Sequence, residues 1–119
     1  MKLLTKKILV GIPRLDRDDE YDAIVHVKFF DPCGRWTWYA VAYDPEEEMF
    51  FGYVVGPFDE TCDEWGYFGL AELKSFRGRL GLGIERDMYF KPQLMSVACP
   101  AAQRALGRWM PEEGEMNHA

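Results

Sequence analysis

Three segments rich in β-branched and aromatic residues follow one another between residues 23 and 56, and they limit the fold more than any other feature of the chain. "AIVHVKFF" (23–30) ends at Asp31-Pro32, with Cys33-Gly34 completing a turn signal, and reads as a strand that contains His26. "RWTWYAVAYD" (35–44) alternates Trp36, Trp38, Ala40 and Ala42 on one face against Thr37, Tyr39, Val41 and Tyr43 on the other. "MFFGYVVG" (49–56) follows the short connection "DPEEE", so the second and third strands are expected to be antiparallel neighbours. A three-stranded meander is therefore the expected centre of the fold.

The flanking segments add helices and shorter strands. "LLTKKILVGI" spaces Leu3, Leu4, Ile8, Leu9 and Ile12 as a helix would, with Thr5 near its start and Gly11-Ile12-Pro13 at its end. "GYFGLAELKSFRG" (66–78) begins as a strand and becomes a short helix around Leu70, Leu73 and Phe76, ended by Gly78. "IERDMYFKP" (84–92) reads as a final strand closed by Pro92, and "AAQRALGRWM" as a C-terminal helix before a polar tail. The expectation is a single α+β domain: an antiparallel sheet of four or five strands, an N-terminal helix, a short helix near 70–77 and a C-terminal helix. The domain proper is placed at 1–97 and a helical extension with a mobile tail at 98–119. A chain of 119 residues has room for one core and one site.

Charge is distributed unevenly along the chain. The net charge is −6, but residues 16–64 carry 14 acids against Arg17, Lys28 and Arg35, a local balance of −11, while residues 65–110 carry +4. The acids Asp18, Asp19, Glu20, Asp22, Glu46, Glu47, Glu48, Asp59, Glu60, Asp63 and Glu64 are candidates for meeting a basic partner surface. The competing candidates are Arg77, Arg79, Arg86 and Lys91 with the tyrosines Tyr39, Tyr43 and Tyr53, a basic and aromatic set that suits nucleic acid.

Chemistry-bearing motifs are weak. "GRLGLG" lacks the spacing, the following helix and the Lys-Ser/Thr of a phosphate-binding loop, so Gly78, Gly81 and Gly83 read as a turn with positive φ or close backbone approach. Glu85 and Asp87 would share a strand face and are the only paired carboxylates with a catalytic reading; ion pairs with Arg77, Arg79 or Arg86 are the competing one. A His26–Cys33 pair is the remaining nucleophile candidate. Cys33, Cys62 and Cys99 fit neither a disulfide framework nor a thiolate metal site, and "DETCDE" holds no His, so no metal and no cofactor is expected. With no apolar run of about 20 residues and no signal-peptide core, the expected location is cytoplasmic and away from membranes.

The motifs "VHVKFFDP", "WTWYAVAYDPEEEMFFGYVVG", "GYFGLAELKSFRG" and "LGLGIERDMYFKP", together with the opening "KLLTKK", resemble the bacterial family called domain of unknown function 2958 over roughly residues 2–97. "CPAAQRALGRWMPEEGEMNHA" looks like an extension of it. The resemblance implies an accessory role on plasmids, conjugative elements or prophages, and it brings no catalytic residues with it. Three functions follow as expectations. The first is a non-enzymatic protein that binds a host protein or nucleoprotein complex, of the anti-restriction or anti-CRISPR kind, with its acidic surface competing with nucleic acid. The second is direct nucleic-acid binding through residues 74–91. The third is a small enzyme using Glu85 and Asp87. Oligomeric state is not encoded in any of these features.

Overall fold

The computed structural model describes residues 2–14, 23–57 and 63–102. Helix α1 (Lys6–Gly11) starts at Thr5, whose hydroxyl accepts the Ile8 N–H at 3.3 Å and satisfies one of the free donors of the first turn. The meander follows as β2 (Val27–Phe30), β3 (Thr37–Asp44) and β4 (Met49–Val55), after a two-residue β1 (Ile24–Val25). Next come β5 (Glu64–Gly69), α2 (Leu70–Ser75), a 3-10 turn at Arg79–Gly81, β6 (Glu85–Arg86), β7 (Gln93–Leu94) and α3 (Met95–Ala98). The main sheet is antiparallel with order β5-β4-β3-β2-β6, and β1 pairs with β7 in a separate ribbon. The α+β architecture with a five-stranded sheet is as the sequence predicts.

Both faces of the sheet are covered, and a β-bulge decides which residue goes to which. Up to Ala40 the register of β3 on β4 is regular (Trp38↔Val54, Tyr39↔Tyr53, Ala40↔Gly52), and then Ala42 pairs with Phe51, leaving Val41 as an extra residue. The alternation inverts there. Trp38, Ala40 and Tyr43 enter one core with Val27, Phe29, Phe50, Phe68, Leu70 and Leu73, whereas Val41 and Ala42 enter the other with Val25, Tyr53, Trp65, Met95 and Cys99. The uninterrupted alternation expected across 35–44 is thus wrong for Ala42 and Tyr43. The neighbouring strand breaks at the same level. His26 donates its N–H to the Ala40 carbonyl at 2.9 Å, and Val25 and Val27 on either side of it are buried in opposite cores, so 23–30 is two strands and not one. Beyond the bulge the edge of β3 is taken by the segment after α1, Tyr43 N–H meeting the Pro13 carbonyl at 3.0 Å.

Gly52 is the counterpart of the bulge on β4. A Cβ built there would lie 1.8 Å from the Tyr39 carbonyl oxygen, so only glycine allows β3 and β4 to approach this closely. A second close approach fixes the hairpin tip between β2 and β3. Asp31 is 6% exposed and accepts the Cys33 N–H at 3.1 Å, and its carboxylate lies where Cβ atoms at Gly34 and Gly78 would fall, 2.4 and 2.7 Å away. Gly78 is therefore a packing glycine. The left-handed backbone of the loop is carried by Gly81 (φ 72°) and, against the usual preference, by the exposed Leu80 (φ 63°).

The predicted last strand, 84–92, is mostly a turn. β6 ends at Arg86 because the Asp87 carboxylate folds back to accept the Tyr89 N–H at 3.0 Å, an Asx turn, and pairing resumes only at Gln93 with the other ribbon. Helix α2 likewise stops before Gly78, with Phe76 N–H closing on the Glu72 carbonyl. At the C-terminal side Cys99 and Ala102 are buried in the second core, and Trp65 Nε1 donates to the Ala102 carbonyl at 3.0 Å. The rest of the predicted C-terminal helix and the tail lie outside the described residues.

Gly52→Ala should be the most damaging small substitution in the sheet. Alanine would ordinarily gain roughly 0.5–1 kcal/mol over a strand glycine. Here the overlap with the Tyr39 carbonyl should reverse the sign and cost about 3 kcal/mol, measurable as a lowered urea midpoint.

A candidate binding cleft beside strand β5

Register across three strands creates a gap in the sheet surface. Ala40, Gly52 and Gly66 are successive cross-strand partners on one face, flanked by the row Trp38, Val54, Glu64 on one side and by Phe50 and Phe68 on the other. Nothing stands within 4 Å of where a Cβ at Gly66 would be. Helix α2 bridges above this row through Leu70 and Leu73, and Phe76 continues the cover. The space left between them is a cleft of about 410 Å³.

Its walls are aromatic and its charges have one sign. Trp36 stacks on Trp38 with ring centroids 5.8 Å apart and 15° between planes, and Phe76 meets both edge-on at 6.4 and 5.8 Å. Phe68 and Leu73 lie deeper, and the two charged lining residues are Glu64 and Glu72. One oxygen of Glu72 accepts the Gly69 N–H at 2.9 Å and so anchors the start of α2. Glu64 is exposed at the mouth. Aromatic faces carry partial negative charge, so rings and carboxylates together favour a cationic group with an apolar stem.

Of the acids proposed from sequence, Asp18, Asp19, Glu20, Asp22, Asp59 and Glu60 lie outside the described residues. Glu46, Glu47 and Glu48 are exposed in the β3–β4 turn, where Asp44 accepts the Glu46 and Glu47 N–H groups. Asp63 accepts the Gly56 N–H at 3.0 Å beside the cleft. The two described groups do not converge: Met49 pairs with Gly69 next to the turn and Val54 with Glu64, five residues or roughly 17 Å along β4.

The basic and aromatic candidates are dispersed as well. Arg77 Nη1 donates to the Lys74 and Phe76 carbonyls, at 3.0 and 2.7 Å, and Arg86 Nη1 donates to the Lys2 carbonyl, so both guanidinium groups are engaged with backbone. Arg79 and Lys91 are exposed. Tyr53 is 0% exposed and Tyr43 4%, the second because the bulge turns it inward, and they hold no ring at the surface for a partner. Burial raises the Tyr43 hydroxyl pKa, with Glu48 and Asp44 adding to the effect. Tyr39 is half-buried; burial and then the Cys99 thiol push its hydroxyl up to about 12. Over its ring sits Lys28 Nζ, 5.6 Å from the centroid.

Asp87 is 3.9 Å from Lys28 Nζ, an ion pair with a residue that the sequence did not single out, and Glu85 is held in β6 opposite Phe30. His26 and Cys33 stand at opposite ends of β2. Among the described residues no group of three or more His, Cys, Asp or Glu side chains could hold a metal ion, and no helix is long and apolar enough to cross a membrane.

The model of a protein family of unknown function, DUF2958, matches residues 3–108. The chain belongs to that family. The match takes in every element that builds the cleft, from Trp36 to Phe76. No curated protein and no solved structure matches the chain.

Sequence reasoning named Glu64 but missed Glu72, Trp36 and Phe76 as cleft residues; the spacing Trp36–Trp38 on one strand face was the available signal. His26 gives a pH test of the break between β1 and β2. Burial lowers its pKa below 6.5, so the folded state binds a proton less readily than the unfolded chain. Stability should be full above pH 6.5 and decline as pH falls below it towards the folded-state pKa. His26→Gln should remove that part of the slope in urea titrations between pH 7 and 5.

Proposed function

We propose that this protein is a non-catalytic binding module which takes basic side chains of a macromolecular partner into the cleft between α2 and β5. The observation that carries the reading is the cleft itself: three packed aromatic rings on one wall, and Glu64 and Glu72 as its charged lining. A lysine or arginine stem fits against the rings while its head meets the carboxylates. In the cell the natural partners of this chemistry are proteins with a basic, nucleic-acid-facing surface. The accessory role that the family resemblance implies then takes a definite form: a mobile-element protein acting in the cytoplasm that occupies such a surface on a host defence complex, in place of DNA. Direct nucleic-acid binding has less support, because two of its four cations, Arg77 and Arg86, are used on backbone carbonyls.

Hexa-arginine peptide, followed by tryptophan fluorescence, tests the site. Binding should saturate, weaken with salt, and fall about tenfold or more in Glu64→Lys. Glu46→Lys, an equal change of charge at the far end of β4, should leave it within about twofold. Gly66→Val should abolish binding by filling the cleft while folding stability stays equal or rises by roughly 0.5–1 kcal/mol, because its side chain enters open space on a strand. Equal losses in the Glu64 and Glu46 variants would reduce the effect to net charge. Steep, salt-dependent retardation of DNA in a gel shift would move the function to nucleic acid.

A further inference from the structure

The two edges of the main sheet are unlike. At the β6 edge pairing lasts two residues before the Asx turn at Asp87 ends it, a short edge that offers little to a passing strand. At the other edge β5 keeps regular register with β4 over six residues, with no bulge and no proline, and Glu64 is its one charged residue. Among the described residues no strand pairs with its outer side.

Which backbone groups face outward follows from the hydrogen bonds at the end of the strand. Leu70 N–H donates to the Glu48 carbonyl on the β4 side, whereas Gly69 N–H turns away to Glu72. Antiparallel pairing alternates inward and outward along a strand, so the N–H and C=O groups of Trp65 and Tyr67 are directed to the open edge. Tyr67 is 65% exposed, tilts on Phe51 with ring centroids 5.0 Å apart, and also borders the cleft.

We propose that an extended basic segment of a protein partner adds to the sheet as a sixth strand along β5, and that this addition delivers an arginine or lysine into the cleft. The proposal rests on the cleft being the binding site. A strand added at β5 lies about 4.8 Å further out, with cross-strand Cβ atoms about 5 Å apart. Opposite Gly66 its side chain meets no side chain from β5 and has an open path over the glycine towards Trp36, Trp38 and Glu72. Charge selects the occupant, since both charged residues of the cleft are glutamates. Main-chain bonds to Trp65 and Tyr67 give affinity, and the cleft gives specificity, as in other cases of strand addition.

The probe is an eight-residue peptide alternating arginine with valine, compared with the same peptide N-methylated on alternate amides so that it cannot pair. The unmodified peptide should bind at least tenfold tighter, and Tyr67→Pro, which removes an outward N–H, should erase the difference while Tyr67→Ala keeps it. Equal binding of both peptides overturns strand addition and leaves the cleft reading standing. No response to either peptide or to hexa-arginine overturns both. A dimer in sedimentation velocity that Tyr67→Pro dissociates would assign the edge to a second copy of the chain and overturn the proposal. The N-methylated peptide is tested on the unaltered protein, so the result holds even if the proline variant fails to fold.

Discussion

The close contact of Gly52 with the Tyr39 carbonyl is the constraint on which the rest of the sheet depends. It lets β3 and β4 stay in register up to Ala40 and then accept the extra residue Val41, after which every side chain of β3 changes sides. Two cores result from one run of apolar residues. Trp38 and Tyr43 help to fill the first and Val41 and Ala42 the second, and large rings such as Phe29, Phe50 and Tyr53 are wholly buried between them. Each such ring contributes about 1.5–3 kcal/mol by leaving water, far more than the entropy cost of one strand glycine.

The same register leaves the cleft. With Gly52 and Gly66 side by side and Ala40 beyond them, the sheet lacks side chains at the place where α2 crosses it, and the tryptophans of β3 and its approach become a wall instead of part of the filling. The cavity here is a by-product of strand geometry, and its two charged lining residues, Glu64 and Glu72, carry one sign.

The meander between residues 23 and 56 and the capped N-terminal helix were legible because they depend on local periodicity and on residues with narrow backbone preferences. Thr5 and Asp31-Pro32 are of that kind. The bulge was not legible, since "TWYAVAYD" alternates without interruption and the extra residue is defined only against β4. The turn at Asp87 was hidden for a similar reason: "ERDMYF" has strand composition, and what stops it is one side-chain hydrogen bond. Candidate acids were visible individually, but whether they gather depends on which end of β4 they reach, and Glu48 and Glu64 reach opposite ends. The cleft required three strands in register and had no one-dimensional signature except the Trp36–Trp38 spacing.

The pairing of β2 with β6 joins Phe29 to Arg86 and so closes a loop of more than 50 residues, whereas β2–β3 and β3–β4 are local hairpins. Closing that loop costs more chain entropy than closing either hairpin. The topology therefore favours early condensation of the meander, with the glycine loop, where Gly78 rests against the Asp31 carboxylate at the hairpin tip, joined at the greater entropy cost. That carboxylate acts as a receptor inside the molecule, kept waiting by one half of the chain for the other.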